Sequence, residues 1–175
     1  MKGCIGVLMK EKIYIESPIG MLAVCCEEGY VTAISIVVGE KCGDSVVTPF
    51  TASVKSSLNA YFNSEIKEFD FPLLLRGTAF QVMVWKELLR IPYGETVTYG
   101  EIAARMGRPH ASRAVGNACN RNPLLVVVPC HRAVGSGGKI TGYVAGVEKK
   151  KFLLELERGN SFSSVHVSGK IFDSV

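Results

Sequence analysis

The chain has 175 residues, 47% of them hydrophobic, enough to bury the core of one ordinary domain or of two small ones. Six cysteines with no repeated spacing and no secretory leader exclude a secreted disulfide scaffold, and no apolar run is long enough to span a bilayer. The formal charge of +4 is uneven: residues 1–75 carry six lysines against nine acids, and residues 76–175 fourteen basic residues against seven acids. Alternating runs at 12–16, 21–26 and 31–38 predict three short strands, broken by Ser17-Pro18-Ile19-Gly20 and Glu27-Glu28-Gly29. Residues 51–63 predict an amphipathic helix with Val54, Leu58, Tyr61 and Phe62 on one side. Residues 69–78 read as a connection, punctuated by Pro72 and Gly77.

The remainder is mostly helical. Residues 79–91 carry Phe80, Val84, Leu88 and Ile91 at helical spacing, and Pro92-Tyr93-Gly94 ends the run. Thr98 and Glu101 match a capping box that opens a helix over 99–106. Gly107 and Pro109 mark a turn, and Ser112 is the expected N-cap of a second short helix over 113–120. A glycine-containing turn between two helices is a helix-turn-helix pattern, one that any packed helix pair can imitate. The tail after Arg158, rich in serine, is expected to be loosely ordered. The chain therefore divides into a small α/β domain over 1–76 and a mostly α domain over 77–175.

The run Val126-Val127-Val128-Pro129-Cys130-His131-Arg132 is the most informative stretch. Its β-branched residues predict an extended, buried approach, and Pro129 fixes φ just before the cysteine. A thiol reacts as its thiolate, and neighbouring His and Arg side chains are the groups that stabilise one. From these seven residues alone, a buried structural cysteine reads equally well. In an extended backbone His131 would point away from the sulfur, so a bridging water or a turn starting at Cys130 is needed to connect them. Of the other histidines, His110 falls in the turn of the helix pair and His166 in the tail. A base also needs an orienting partner. At about 100° per residue Glu157 falls between Leu153 and Leu154 on the apolar arc, whereas Glu155 lies toward Lys151 and Arg158. An inward carboxylate needs a partner, which favours Glu157.

Taken together, several further segments flank this run in a definite order. They are Gly77-Thr78-Ala79-Phe80-Gln81, Ile91-Pro92-Tyr93-Gly94-Glu95-Thr96-Val97-Thr98-Tyr99, Ser112-Arg113-Ala114-Val115-Gly116-Asn117-Ala118, Arg121-Asn122-Pro123 and Gly142-Tyr143-Val144-Ala145-Gly146. Over residues 77–158 the chain closely resembles the O6-alkylguanine-DNA alkyltransferases, the methylated-DNA–protein-cysteine methyltransferases. The match is looser upstream, through Glu16-Ser17-Pro18-Ile19-Gly20 and Leu58-Asn59-Ala60-Tyr61-Phe62.

The resemblance implies a ribonuclease-H-like α/β N-terminal domain and a winged-helix-like C-terminal domain with the helix-turn-helix. It implies stoichiometric transfer of an alkyl group from guanine O6 to Cys130, with O4-alkylthymine as a candidate second substrate. It makes His131 the base through a water, Glu157 its partner, Tyr99 the donor to the leaving guanine, and Asn122 the brace of the active-site turn. Ser112, Arg113, Ala114, Gly116, Asn117 and Arg121 become the DNA-binding face, with Arg113 holding the place of the flipped nucleotide. Gly116, Ala114 and Ala118 give that face low relief, suited to a minor groove and lacking large base-reading side chains. Tyr143, Val144, Ala145 and Gly146 line the alkyl pocket. Val144 has no hydroxyl, so any contact to O6 there comes from backbone N–H.

The expected partner is double-stranded DNA containing O6-alkylguanine, met by a monomer in the cytoplasm, or in the nucleus of a eukaryote. The basic excess of the second half suits a polyanion, although a solvated basic face gives the same count. No cofactor is expected, and no metal. Some relatives hold zinc through two Cys and two His, and here Cys4, Cys25, Cys26 and Cys42 precede the first histidine, His110. The competing classes are a non-catalytic alkyltransferase-like lesion binder, a Cys-His hydrolase and a helix-turn-helix regulator. Cys130 argues against the first. No partner or oxyanion donor is evident for the second, and the small-residue second helix disfavours the third.

Overall fold

The computed structural model describes residues 10–37, 45 and 47–159. The tail from 160 onward, Val38 of the third expected strand, His166, Cys4 and Cys42 lie outside the described residues. Strands β1 (Lys10–Ile15), β2 (Leu22–Glu27) and β3 (Tyr30–Ile36) form one antiparallel sheet in that order. Alternation buries Ile13, Ile15, Leu22, Val24, Val31 and Ile34. Glu27 pairs with Tyr30 across a two-residue turn in which Glu28 (φ +50°) and Gly29 (φ +78°) are both left-handed. Such a turn matches the strand twist, and it favours glycine. β1 stops before Glu16 because Ser17 opens a turn, its hydroxyl donating to Gly20 O at 2.6 Å.

Helix α1 (Pro49–Phe62) starts two residues before the expected Thr51. Thr48 and Thr51 cap it reciprocally, and Pro49 occupies a first-turn position where no N–H donor is needed. Its Val54, Leu58, Tyr61 and Phe62 join the sheet side chains in one hydrophobic cluster, which continues without a break into the second half of the chain.

Helix α2 (Ala79–Leu88) opens on a capping box of Thr78 and Gln81. It ends before the expected Ile91, because Arg90 and Ile91 donate to Glu87 and Leu88 carbonyls and tighten the chain into Pro92. Trp85, 1% exposed, donates from Nε1 to Ala118 O at 3.0 Å and so ties α2 to α4 (Ser112–Asn120). That packing fixes Gly77, where a Cβ would lie 2.6 Å from the indole ring.

Helix α3 (Tyr99–Arg105) begins at the expected capping box of Thr98 and Glu101. The N-cap of α4 is Ala111, which corrects the expectation for Ser112. Ala111 N–H already bonds Arg108 O, and Val115 N–H bonds Ala111 O, so the turn after Gly107 runs into the helix and Ser112 is its first residue. Two-residue strands β4 (Val97–Thr98) and β5 (Ala133–Val134) pair in parallel beside this helix pair, completing the winged-helix-like half. Helix α5 (Val147–Glu157) closes the fold.

The expected extended approach to Cys130 is also corrected. Leu124 bridges to Ile34 of β3, and beyond it the backbone folds on itself. Val127 N–H bonds Leu125 O, and Cys130 N–H bonds Val128 O, two successive γ-turns centred on Val126 (φ +72°) and Pro129 (φ −81°, ψ 62°). A positive φ on a β-branched residue costs about 1–3 kcal/mol and persists only where packing over-determines it. Val126 is 1% exposed. The β-branched run foretold the burial; its backbone follows tertiary packing, which β-propensity does not describe. The anchor is β3 itself: Ile34 N–H donates to Pro123 O at 2.8 Å and Leu125 N–H to Ile34 O at 3.1 Å.

Candidate active site

Cys130 begins a 3₁₀ turn, Cys130–Arg132, and is 2% exposed. Asn122, itself buried, locks the folded run above it. Its Nδ2 donates to Val128 O at 2.8 Å and to Cys130 Sγ at 3.2 Å, and its Oδ1 accepts from Leu124 N–H at 3.0 Å. Burial pushes the Cys130 thiol up to about 11, against the Asn122 hydrogen bond and the Lys150 charge, which pull it down. The resting group at neutral pH is a thiol, so nucleophilic use of it requires a base. Its reaction with iodoacetamide, followed by intact mass, is expected to accelerate with pH and level off only near 11. A plateau already reached at about pH 7 would show a preformed thiolate instead.

The base and its partner are assembled from four segments. His131 is fully buried, with Nε2 2.8 Å from Glu157 Oε1. The same carboxylate accepts from Tyr61 Oη at 2.6 Å, Gly94 N–H at 3.1 Å, and Arg132 Nε and Nη2 at 2.9 and 2.8 Å. Burial opposes ionisation of Glu157, but the hydrogen bonds from His131, Arg132 and Tyr61 prevail and hold its carboxyl well below the usual carboxylate range. An ionised carboxylate can only accept, so Nε2 carries the hydrogen and the lone pair of the neutral ring sits on Nδ1. Burial lowers the proton affinity of His131, and Glu157 offsets part of that. Among the described residues, His131 Nδ1 and the Tyr143 hydroxyl are buried without hydrogen-bond partners. The turn foreseen as starting at Cys130 is present. Arg132 does not serve the thiol directly, as its position beside Cys130 had suggested. Its guanidinium forks onto Glu157 and donates from Nη1 to Ile91 O at 2.6 Å.

On the other side of the site Tyr99, in the first turn of α3, donates to Thr141 O at 3.3 Å. Lys150, fully buried, donates to Ala133 O at 2.6 Å, Thr141 O at 3.1 Å, Gly142 O at 3.3 Å and Tyr99 Oη at 3.3 Å. In the segment expected to line the alkyl pocket, Tyr143 is buried and Ala145 half-buried, while Val144 is 49% exposed and Gly146 (φ +97°) forms the N-cap of α5.

The expected DNA-facing residues fall into two sets. Ser112, Arg113 and Gly116 share a concavity with Tyr99 and Ser136, whereas Ala114, Asn117 and Arg121 line a groove against Thr78, Phe80 and Gln81 of the α2 end. A Cβ at Gly116 would meet no atom within 4 Å, so no contact within the protein requires a glycine there. Cys119 lies on the buried side of α4, and burial pushes its thiol up to about 12.

Sequence reasoning missed Arg132 as the clamp of Glu157, the Tyr61 and Gly94 donors, and Lys150. The signal for Lys150 was present: it stands three, four and seven residues before Leu153, Leu154 and Glu157, on their face of α5. The other donors belong to segments far apart in sequence and leave no local trace. Among the described residues no cluster of His, Cys, Asp and Glu could hold a metal ion, and no helix is long and apolar enough to cross a membrane.

Comparison with known proteins agrees with this construction along the chain. Residues 10–75 match the family described as 6-O-methylguanine DNA methyltransferase, ribonuclease-like domain, and residues 79–159 the corresponding DNA binding domain. A methylated-DNA–protein-cysteine methyltransferase of Methanosarcina acetivorans is 48% identical over 147 residues, 81% of this chain and 94% of its own. That of Mycobacterium tuberculosis is 46% identical over 153 residues, 84% of this chain and 92% of its own. Among solved structures, the Mycobacterium tuberculosis O6-methylguanine methyltransferase superposes with a TM-score of 0.78 at 43% identity, covering 89% of this chain and 97% of that one. The OGT of the same organism in complex with DNA does so with a TM-score of 0.75 at 46% identity, covering 83% and 91%. With both domains matched in order and the buried Cys130, His131 and Glu157 in place, the chain belongs to the 6-O-methylguanine-DNA methyltransferase family.

Proposed function

We propose that this protein repairs DNA directly, transferring the alkyl group of O6-alkylguanine to its own Cys130 in a single turnover. The observation that carries the reading is the buried thiol held by Asn122 beside a neutral imidazole whose Nε2–H is fixed on Glu157. The nucleotide swings out of the duplex, approached from the minor groove, and Arg113 fills the gap it leaves in the stack. Sγ attacks the alkyl carbon in line: the S–C bond forms and the C–O6 bond breaks. The thiol proton passes through a water to His131 Nδ1, and the departing guanine anion takes a proton from Tyr99. Tyr143 and Ala145 bound the alkyl group, with Val144 at the rim.

Residues 77–175 form the domain that carries the chemistry and the DNA face. Residues 1–76 brace it, lending Tyr61 to the carboxylate and β3 to the approach. The protein acts as a monomer in the cytoplasm, or in the nucleus of a eukaryote, with no metal or cofactor in any step. A non-catalytic lesion binder is the poorer reading, since that class lacks the reactive cysteine present here.

A thioether at Cys130 offers water no leaving group, and neither His131 nor Glu157 can regenerate the thiol. Titrating a fixed amount of protein with excess O6-methylguanine oligonucleotide should therefore give one added methyl per chain, with product levelling at the protein concentration. Intact mass and peptide mapping read the result. Product continuing past one equivalent would mean turnover and end this assignment.

A further inference from the structure

A cleft of about 350 Å³ opens where the connection from α1 to α2, the turn after α2 and the folded run at Cys130 meet. No part of the reaction above occupies it, and its volume falls within the range of about 300–1,000 Å³ usual for small-molecule sites. Arg132 reaches its wall with the little surface it exposes, 8%. A guanidinium carries five N–H donors in one plane. Nε and Nη2 each spend one on Glu157 and Nη1 spends one on Ile91 O, so Nη1 and Nη2 each keep a hydrogen with no acceptor among the described residues. Tyr93, also in the wall, has the Arg132 guanidinium 5.7 Å and the Lys67 ammonium 5.8 Å from its ring centre. Three cations of the lining, Lys67, Arg90 and Arg132, stand against one acid, Glu68. Arg90 is already held by Glu87, which leaves Lys67 and Arg132 for a ligand. Phe69, Leu73 and Leu89 supply an apolar remainder, with Leu89 42% exposed.

We propose that this cleft binds a small organic oxyanion, a carboxylate or phosphate on an aromatic or branched apolar body, and that its occupant acts on Cys130 through Arg132. The oxygens take the two unspent guanidinium hydrogens and the Lys67 ammonium, a planar fork of donors being suited to carboxylate and phosphate alike. The apolar body covers Leu89 and the rings of Phe69 and Tyr93. An anion in that place shares the guanidinium with Glu157 and adds its charge to that of the carboxylate. A nearby negative charge favours the protonated imidazole, so His131 becomes a better acceptor of the thiol proton. The cleft thereby has a line to the nucleophile that runs through the one side chain common to both.

NMR titration of the full-length ¹⁵N-labelled protein with benzoate, phenyl phosphate, benzamide and inorganic phosphate tests the site without DNA, so its outcome is independent of the alkyl-transfer reading. Benzoate or phenyl phosphate should give saturable shifts at the amides of Lys67, Tyr93 and Arg132, with a dissociation constant of about 1 mM, and the tighter of the two identifies the acid group. Benzamide, which has the body without the charge, and inorganic phosphate, which has the charge without the body, should bind at least about tenfold more weakly. Lys67 and Glu68 are exposed, so their replacement leaves the fold intact. Lys67→Gln should weaken binding about two- to fivefold, and Glu68→Gln should tighten it by a similar factor. Alkylation of Cys130 by iodoacetamide should quicken by at least about twofold at saturation, with the same concentration dependence as the shifts. Shifts that fall elsewhere or do not saturate, benzamide binding as well as benzoate, affinities unmoved in both variants, or an unchanged alkylation rate at saturation would each overturn the proposal.

Discussion

Replacing Cys130 with serine is expected to abolish alkyl transfer while DNA binding persists. A serine hydroxyl in the same place ionises far less readily than a thiol, and the neutral His131, whose proton affinity burial lowers, is too weak a base to draw its proton. The change is nearly isosteric, and Asn122 Nδ2 can donate to the oxygen as it does to the sulfur, so the folded run above the site should stand. The exposed residues of α4 lie outside the alteration. Transfer of a labelled methyl group measures the first effect, and a gel-shift titration with alkylated duplex the second. Transfer retained by the variant, or label found on Cys119, would show that another atom is the acceptor.

The second large effect concerns Glu157. Glu157→Gln removes the charge that faces Arg132 and His131, leaving a guanidinium buried without compensation, which costs about 3–5 kcal/mol in comparable sites. It also frees the imidazole to flip its tautomer, so transfer should fall by at least about a hundredfold. The two losses are separable. Adding Arg132→Met to Glu157→Gln removes the orphaned charge and should restore most of the melting temperature while transfer stays low, because replacing a whole buried pair by apolar bulk is often neutral. Recovery of both would mean the carboxylate is only structural.

Acid should expose the same group. The folded pKa of Glu157 lies below its ordinary value of 4.5, so its contribution is complete above that pH and drains away as pH falls below it. His131 is likewise depressed from 6.5, so the cost of holding it neutral begins as pH drops through that value. Thermal melts of the wild type should lose stability in two stages on acidification, from about 6.5 and again from about 4.5, and Glu157→Gln should shrink the second to what Glu27 and Glu101, also lowered from 4.5, contribute.

The sequence carried a large part of this arrangement, and the reasons it carried no more are specific. Period-two runs and the helical spacing of Val54, Leu58 and Val84 disclosed the elements because amphipathic patterns are local. Glu157 was legible for the same reason, as a carboxylate rotated onto an apolar arc. Lys150 obeyed the identical geometry and was hidden by its neighbours, since Lys149-Lys150-Lys151 looks like a solvated run. Ser112 looked like a cap and was not one, because the backbone of the preceding turn had already supplied the first helical bonds. The bent path at Val126 was beyond reach altogether. Three β-branched residues before a proline say strand, and only the combined grip of β3 and Asn122 makes them turn.

The five hydrogen bonds on Glu157 carry a consequence for how the protein is made. Their donors are Tyr61, Gly94, His131 and Arg132, which precede it by 96, 63, 26 and 25 residues. A ribosome delivers these donors first and the carboxylate after them, and domains tend to fold in the order in which they emerge. Until α5 has left the exit tunnel and docked, His131 has no fixed tautomer and Arg132 no counter-charge, so the site around Cys130 is the last part of the fold to be completed. Repair is therefore expected only from chains whose synthesis has passed α5, because the carboxylate that orders the rest of the site arrives with that helix.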